Sequence, residues 1–264
     1  MKVVLFCGGH GVRMGDETQR IPKPMITVGN RPIVWHIMKY YAAWGHSDFI
    51  LCLGYKAESI KEYFLAYNEA FSNDFVLSNG GRELQLLGSD ISDWRITFVG
   101  TGTQATIGDR LLAVASHLGD DEYFLATYGD GLTDAPLDEM IERLTTSDKM
   151  GLFLSVRPQF SAHVVSVDED GTVHSIDDIQ EADVWINGGF FVFKHSVLDY
   201  INEGEELVEE PFRRLMQTDD LIGYRYEGFF GPMDTMKDKQ RLDALAENGR
   251  APWRKVGLAV PLAR

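Results

Sequence analysis

Short apolar runs alternate with helical patterns through the first half of this chain. Residues 3–7 and 48–54 are apolar runs with the length of buried strands, whereas 32–44 and 56–69 have helical spacing of apolar side chains. Pro32 suits the first turn of the first helix. This order predicts parallel strands joined by right-handed helical crossovers. The first half is therefore predicted to form a parallel sheet covered by helices.

The same alternation continues to about residue 156, after which the pattern changes. Further predicted elements are strands near 95–99, 123–127 and 151–156 and helices near 108–118 and 136–146. Residues 160–193 instead contain short alternating segments separated by Asp-Gly, which is typical of hairpins. The predicted fold class is α/β: a Rossmann-like, mixed but mostly parallel central sheet with an appended α+β lobe.

Composition limits the classes of partner. The formal net charge of the 264 residues is −15, and no window concentrates Lys and Arg, which argues against nucleic acid as a partner. No segment approaches the roughly 18 apolar residues of a membrane span, so we expect a cytoplasmic protein that contacts no membrane.

Cys7 and Cys52 lie in apolar runs and are predicted to be buried thiols. The histidines have no zinc-binding spacing. A small phosphorylated ligand remains compatible with this acidity.

Three unusual loops follow predicted strands: "GGHGVRMG" (8–15), "GTGTQATIGDR" (100–110) and "YGDG" (128–131). Ligands of open α/β sheets bind beyond the carboxyl ends of the strands. The three loops therefore predict one shared site.

The first of these loops is a candidate phosphate cradle. Gly8, Gly9 and Gly11 allow backbone N–H groups to approach an anion closely. The loop is neither a Walker A motif nor a complete G-x-G-x-x-G, so the glycines alone are equally compatible with a structural turn. Arg13 favours the cradle, because its guanidinium adds donors for phosphate oxygens.

One lysine and several carboxylates are further candidates. Lys23 lies between two prolines, which reduce the entropy lost when its side chain is positioned, although a loop lysine without a role fits equally well. Asp130 and Asp134 follow a predicted strand, and Asp234 follows the apolar run "GFFGPM". Carboxylates from distant segments are what Mg²⁺ uses when it also binds nucleotide phosphates. The alternative for each is a solvated surface carboxylate.

A series of motifs over residues 2–255 resembles the glucose-1-phosphate cytidylyltransferases of the sugar nucleotidyltransferases. In order, the motifs are "GGHGVRM", "PKPM", "NRPIVWHIMKYY", "FILCLGYKAESIKEYF", "TYGDG", "INGGFFV" and "GFFGPMDTMKDK". The resemblance implies a GT-A-like nucleotide-diphospho-sugar transferase fold. It also implies a single domain over 1–255, with 1–150 mainly binding nucleotide and 151–235 mainly binding acceptor, followed by a tail at 256–264.

The implied activity is Mg²⁺-dependent transfer of CMP from CTP to a sugar 1-phosphate, with release of pyrophosphate. The partners would be CTP and a small phosphorylated acceptor, and we expect a homo-oligomer. Carried over position by position, the resemblance gives these roles: Gly8, Gly9, Gly11 and Arg13 at the triphosphate, Lys23 at the departing pyrophosphate, Arg110 and Gly129 at the nucleotide, Asp130 and Asp234 at Mg²⁺, and Asn187 and Gly188 at the sugar.

The acceptor side departs from the family pattern. The family has a lysine that grips the sugar phosphate about nine residues before "INGG", where counting without a gap gives Asp178. A carboxylate there would repel a phosphate, which predicts that glucose 1-phosphate is a poor acceptor. Alternatively the loop is shifted and Lys194 or Arg157 replaces the lysine. A different phosphorylated acceptor, or a nucleotide-binding homologue without turnover, also remains open.

Overall fold

The computed structural model describes residues 1–9 and 21–254, and its strands and helices are numbered here in chain order. The strands are β1 (Val3–Phe6), β2 (Thr27–Val28), β3 (Arg31–Pro32), β4 (Asp48–Leu53), β5 (Phe75–Ser78), β6 (Glu83–Leu86), β7 (Arg95–Gly100), β8 (Tyr123–Tyr128), β9 (Gly131–Thr133), β10 (Gly151–Val156), β11 (His163–Val167), β12 (Val173–Asp178), β13 (Ile186–Asn187), β14 (Phe191–Lys194), β15 (Leu221–Tyr226) and β16 (Phe230–Pro232). The α-helices are α1 (Ile33–Ala43), α2 (Ala57–Leu65), α3 (Ile107–Leu118), α4 (Leu137–Thr145), α5 (Glu210–Gln217) and α6 (Met236–Glu247).

The first half forms the predicted parallel sheet. Strand β1 lies between β4 and β8 and is parallel to both, so that Val3 pairs with Phe49 on one side and Leu125 on the other. Strand β7 continues the sheet beyond β4, again parallel. All four residues of β1 are buried, as a central strand covered on both faces requires.

Strands from the second half extend the same sheet. Strand β14 pairs antiparallel with β8, β10 pairs antiparallel with β14, and β15 pairs parallel with β10. The result is one eight-stranded sheet within the described residues. This mixed, mostly parallel architecture confirms the predicted fold class.

Helix α1 shows how the local sequence builds the layer above the sheet. Pro32 precedes its first turn, and Gly45, with φ of 84°, follows its end in a conformation that glycine adopts easily. His36 on this helix is buried, and its Nε2 lies 2.9 Å from the carbonyl oxygen of Val28. His36 therefore joins the core to the β2–β3 turn.

Four two-stranded ribbons lie outside the main sheet in the described residues, and one of them is the β2–β3 pair. Strands β11 and β12 form the hairpin predicted from the alternating segments, and β5 and β6 form a second hairpin. Strand β9, directly after β8, pairs antiparallel with β16. This β9–β16 ribbon brings the segment before α6 to the carboxyl end of β8.

Two expectations from composition concern the cysteines and membrane-spanning helices. Cys7 and Cys52 are buried free thiols, as predicted. In the described part of the chain, no helix has the length and hydropathy needed to cross a membrane.

Candidate active site

A pocket of about 550 Å³ opens at the carboxyl ends of β1 and β8. It is lined by Phe6, Gly8, Gly9, Lys23, Pro24, Thr103, Gln104, Ala105, Ile107, Arg110, Tyr128, Gly129, Asp130, Glu206 and Asp234. Parts of the three predicted loops therefore meet in one cavity, at the edge where open α/β sheets bind ligands.

Lys23 bridges the two candidate metal ligands. Its Nζ atom lies 2.7 Å from Asp130 Oδ2 and 2.7 Å from Asp234 Oδ1. Burial opposes the charge on Lys23, but the charges of both aspartates and their hydrogen bonds outweigh it and raise the lysine pKa. The side chain is held as an ammonium group at the floor of the pocket.

The backbone around these three residues explains how they meet. Lys23 begins a 3₁₀ turn, with prolines before and after it. Asp130 lies in the tight turn between β8 and β9, and Asp234 follows β16. Pairing of Pro232 with Gly131 in the β9–β16 ribbon, together with a hydrogen bond from Met233 N to the Asp130 carbonyl oxygen, brings the two carboxylates together.

The chemistry of this cluster fits a divalent cation that shares its ligands with a nucleotide. Both carboxylates contact the same ammonium group of Lys23, so they face one position that a cation can occupy. Within residues 1–9 and 21–254, no three acidic, histidine or cysteine side chains group into a metal site by themselves. Mg²⁺ commonly uses one or two carboxylates and completes its shell with water and substrate phosphates. Asp130 and Asp234 can hold the ion in that way.

Gly8 and Arg110 occupy adjoining space at the cavity wall. A Cβ atom at residue 8 would lie 2.8 Å from Arg110 Nη2, and closer to Cζ and to Nη1, so a side chain there would displace the arginine. Arg110 donates to Thr101 Oγ1 at 2.6 Å. Burial lowers the pKa of Arg110, which is 3% exposed. A buried guanidinium beside a glycine loop is a donor group available to an anion.

Gly129 and Gly9 also line the pocket. A Cβ atom at residue 129 would lie 3.0 Å from the Phe6 carbonyl oxygen and 3.1 Å from Pro24 Cγ, so Gly129 allows close packing behind the cavity. A Cβ atom at residue 9 would meet open space. The other two candidates of this loop, Gly11 and Arg13, lie outside the described residues.

Asn187 and Gly188 lie beside the pocket, although neither lines it. Asn187 Nδ2 is 3.4 Å from the hydroxyl oxygen of Tyr128, which is a lining residue. A Cβ atom at residue 188 would lie 3.2 Å from the Leu154 carbonyl oxygen, so glycine permits the close strand pairing there. Burial, more than any other influence, raises the pKa of Tyr128 to about 12. Its hydroxyl is therefore a neutral donor at ordinary pH.

Asp178 is placed differently from these residues. It ends β12, is exposed, and its carboxylate accepts a hydrogen bond from Gln180 N at 2.9 Å. It does not line the pocket. Of the two replacement cations, Lys194 pairs with Tyr123 at the opposite end of β8, whereas Arg157 lies just beyond the carboxyl end of β10. Of these two cations, only Arg157 therefore lies at the sheet edge where the pocket opens.

Arg157 belongs to a small cluster that sequence reasoning did not identify. Its guanidinium lies 4.1 Å from the centroid of the Trp185 ring and 3.1 Å from Asp183. The Arg225 guanidinium lies 5.1 Å from the same ring. Sequence spacing gives no signal for this cluster, because strand pairing alone brings Arg225 beside Ser155, which itself pairs with Asn187.

Glu206 and Asp134 are two more carboxylates whose positions the sequence did not distinguish. Glu206 lines the pocket but stands in an acidic run, "EGEELVEE", that resembles a solvated surface. Asp134 accepts hydrogen bonds from the Tyr226 hydroxyl at 2.7 Å and from Phe229 N at 2.8 Å. Asp134 therefore stabilises the connection between β15 and β16 and does not face the pocket.

Comparisons with known proteins agree with this fold. A family model described as nucleotidyl transferase matches residues 2–224. A solved structure of a putative glucose-1-phosphate thymidylyltransferase from Bacillus anthracis shares the fold, with a TM-score of 0.67 and 17% identity over 94% of this chain and 96% of that one. The family match over most of the chain identifies the class of protein as a nucleotidyl transferase, and the chain belongs to that family.

Relatives that align over nearly the whole chain narrow the family further. Glucose-1-phosphate cytidylyltransferase from Salmonella typhi is 38% identical over 256 residues, covering 96% of this chain and 99% of the relative. A probable glucose-1-phosphate cytidylyltransferase from Bacillus subtilis has the same identity and coverage. A mannose-1-phosphate guanyltransferase from Gibberella zeae is 24% identical over 245 residues. Within the nucleotidyl transferases, the chain belongs with the glucose-1-phosphate cytidylyltransferases, which confirms the resemblance found in the sequence.

Proposed function

We propose that this protein transfers CMP from CTP to a sugar 1-phosphate, with glucose 1-phosphate as the principal acceptor. This replaces the expectation of a poor acceptor, because Asp178, on which that expectation depended, is exposed and outside the pocket lining. The observation that carries the proposal is the contact of Lys23 with both Asp130 and Asp234 inside the pocket. One ammonium group and two carboxylates suit a reaction in which a nucleotide, a divalent cation and a departing pyrophosphate share one site.

The proposed step is an in-line displacement at phosphorus. A phosphate oxygen of the acceptor attacks the α-phosphorus of CTP and forms a new oxygen–phosphorus bond. The bond from the α-phosphorus to the bridging oxygen breaks, and pyrophosphate leaves with that electron pair. The products are a CDP-sugar and pyrophosphate. Such a transfer depends on positioning and charge neutralisation rather than on an acid or base.

The residues of this chain divide these tasks. Asp130 and Asp234 hold Mg²⁺, which when bound neutralises phosphate charge and orients the nucleotide. Lys23 then releases one or both carboxylates and places its ammonium against the departing pyrophosphate. The backbone of Gly8 and Gly9 and the buried guanidinium of Arg110 hold the nucleotide, together with the Gly11 and Arg13 expected from the sequence.

The acceptor is proposed to lie on the other side of Tyr128. The Tyr128 hydroxyl and the Asn187 amide supply hydrogen bonds to sugar hydroxyls. Arg157 and Arg225 supply positive charge beyond them. Strand spacing places Arg225 two strands from Asn187, about 10 Å between Cα atoms, which a long side chain and a hexose can span.

Cytosine is the proposed base because the relatives that match over nearly the full length are named cytidylyltransferases. The amide of Gln104, in the loop that lines the pocket, has the donor and acceptor groups that a cytosine ring needs.

We also propose that the chain assembles with further copies of itself. The hairpin of β5 and β6 exposes apolar side chains on both of its faces, including Phe75, Val76, Leu77 and Leu84. Exposed apolar area of this kind is typical of an interface. Sedimentation of wild type and Leu77→Lys tests this, since a smaller species is expected for the variant, and an unchanged size would contradict the assignment.

The activity is tested with wild-type protein and a matrix of substrates. CTP, UTP, dTTP, ATP and GTP are each combined with glucose 1-phosphate, mannose 1-phosphate and a polyol phosphate, with and without Mg²⁺. Pyrophosphate release is expected only with Mg²⁺ and fastest with CTP and glucose 1-phosphate. Faster release with UTP or dTTP would contradict the base assignment, and faster release with another acceptor would contradict the acceptor assignment.

A further inference from the structure

Lys23 occupies the position that the two candidate metal ligands face. Its ammonium group lies 2.7 Å from Asp130 Oδ2 and 2.7 Å from Asp234 Oδ1. The Lys23 side chain is 11% exposed, whereas the side chains of Asp130 and Asp234 are 35% and 44% exposed. The carboxylates therefore remain accessible from the pocket, although the lysine already contacts both of them.

The backbone holds Lys23 at this position. The residue lies in a 3₁₀ turn between Pro22 and Pro24, and the two prolines restrict the backbone on either side of it. Pro24 packs against the turn that carries Asp130, because a Cβ atom at Gly129 would lie 3.1 Å from Pro24 Cγ. The contact between the lysine and the carboxylates is therefore part of the packed structure rather than a pairing of mobile surface side chains.

A metal ion that uses these carboxylates competes with the ammonium group. The ammonium cancels one of the two negative charges that a divalent cation would otherwise meet. An entering ion must also break the charged hydrogen bonds of Lys23 or tolerate its repulsion. Mg²⁺ in addition gives up its hydration water reluctantly. In the absence of a further anion, exchange of the ammonium group for a metal ion is therefore unfavourable.

A bound triphosphate changes both sides of this exchange. Its oxygens complete the shell of a divalent cation that has only one or two carboxylate ligands. The same group offers the Lys23 ammonium new acceptors when it leaves the carboxylates. Nucleotide binding thus provides ligands for the cation and also replaces the hydrogen bonds that the lysine loses.

We propose that Lys23 is a resident counter-cation that blocks the metal position until a nucleotide is bound, so that the protein takes up Mg²⁺ only together with the nucleoside triphosphate. This inference rests on the proposed function, because it takes Asp130 and Asp234 as ligands of the ion. It gives Lys23 a role in the empty protein, before its contact with the departing pyrophosphate.

The test measures binding of Mn²⁺ by equilibrium dialysis, since Mn²⁺ accepts the same oxygen ligands as Mg²⁺. Wild type, Lys23→Met and Lys23→Gln are each dialysed against Mn²⁺ alone, and wild type is also dialysed against Mn²⁺ with CTP and no acceptor. Lys23→Gln keeps a hydrogen-bond donor for the carboxylates without the charge. It therefore carries the test if Lys23→Met does not fold.

Without CTP, wild type is expected to bind Mn²⁺ at least about tenfold more weakly than either Lys23 variant, because a neighbouring like charge opposes binding of a cation. With CTP, wild type is expected to take up Mn²⁺. Lys239→Met is the matched control: it removes the same charge from a lysine that pairs with Asp243 outside the pocket lining, and it should bind Mn²⁺ like wild type. Adding Asp130→Asn to Lys23→Met should abolish the gained binding.

Three results would overturn the inference. Equal affinity of nucleotide-free wild type and both Lys23 variants for Mn²⁺ would show that the ion binds beside the lysine. Absence of Mn²⁺ binding by both folded variants would show that the lysine is not what blocks the position. Wild type that takes up no Mn²⁺ with CTP would contradict uptake with the nucleotide. If wild type releases pyrophosphate from no nucleotide, the proposed function fails, whereas dialysis against Mn²⁺ alone still reports on Lys23.

Discussion

The guanidinium of Arg110 fills the space where a side chain at Gly8 would begin. A Cβ atom at residue 8 would lie 2.8 Å from Arg110 Nη2 and nearer to other guanidinium atoms. The glycine after β1 thus leaves room for the Arg110 guanidinium where it lies, as well as for any approach of phosphate to the backbone. Gly8 follows β1 and Arg110 lies in the first turns of α3, 102 positions further on, so the two residues meet only in the folded protein.

Gly8→Ala is therefore expected to displace Arg110 and weaken nucleotide binding. We expect kcat/KM for CTP to fall at least about tenfold, because a positioned charged donor contributes more than about 1.4 kcal/mol. Steady-state pyrophosphate release measures this. Gly100→Ala is the control, since a Cβ atom there meets nothing within 4 Å and φ is not positive. Equal activity of Gly8→Ala and wild type would show that activity with CTP does not depend on the observed position of the Arg110 guanidinium.

Asp134→Ala is expected to destabilise the protein without removing a substrate contact. The variant leaves the Tyr226 hydroxyl and the Phe229 N–H without their acceptor, which costs about 1 to 3 kcal/mol of unfolding free energy. Urea unfolding measures the change, and activity at a temperature where the variant stays folded should remain near that of wild type. Loss of activity without loss of stability would place Asp134 in the site.

His36 is expected to make stability depend on pH. Burial lowers its pKa from 6.5 to about 4, and its Nδ1 lies 3.4 Å from Trp253 Nε1, a donor that a second ring proton would oppose. Because the unfolded chain binds the proton more readily, stability is fully present above about pH 6.5 and falls as the pH drops toward 4. The loss is expected to be about 2 to 3 kcal/mol. Wild type and His36→Gln, unfolded in urea over this range, should differ in slope, and parallel curves would contradict the assignment.

Substitutions of Asp178 test the acceptor side. Because Asp178 is exposed and outside the pocket lining, we expect Asp178→Ala and Asp178→Lys each to change KM for glucose 1-phosphate by no more than about twofold. A tenfold or greater improvement by Asp178→Lys would instead support the position at the acceptor phosphate that the sequence count predicts. Arg225→Ala serves as the comparison, with a raised KM for glucose 1-phosphate and an unchanged KM for CTP.

The parallel core of the fold was predictable because local spacing determines it. The segment from β1 through α1 to β4 has buried-strand runs and a helical pattern bounded by Pro32 and Gly45, and the structure matches it to within two residues. The β5–β6 hairpin was missed although Asn79-Gly80-Gly81 between its strands is a strong turn signal, because its apolar residues are exposed and those of β5 do not alternate with polar residues as in a half-buried strand.

The candidate site was predictable only in part. Lys23 and Asp234 are 211 residues apart, and the β9–β16 ribbon that joins them depends on long-range pairing with no local signal. For the same reason Asp130 and Asp134 look alike in sequence, although one meets Lys23 and the other meets Tyr226. In the sequence, Glu206 could not be distinguished from the acidic residues around it. The roles of the site residues, the domain limits and the Mg²⁺ requirement stay predictions.

The most direct test of the account is formation of the nucleotide sugar itself. Wild type, Lys23→Ala, Asp130→Asn and the surface control Asp138→Asn are incubated with CTP, glucose 1-phosphate and Mg²⁺, and the products are followed by phosphorus NMR. We expect CDP-glucose and pyrophosphate in equal amounts from wild type and Asp138→Asn, and rates lower by about 100-fold or more from Lys23→Ala and Asp130→Asn. Near-normal product formation by both site variants, or no CDP-glucose from wild type, would contradict the account.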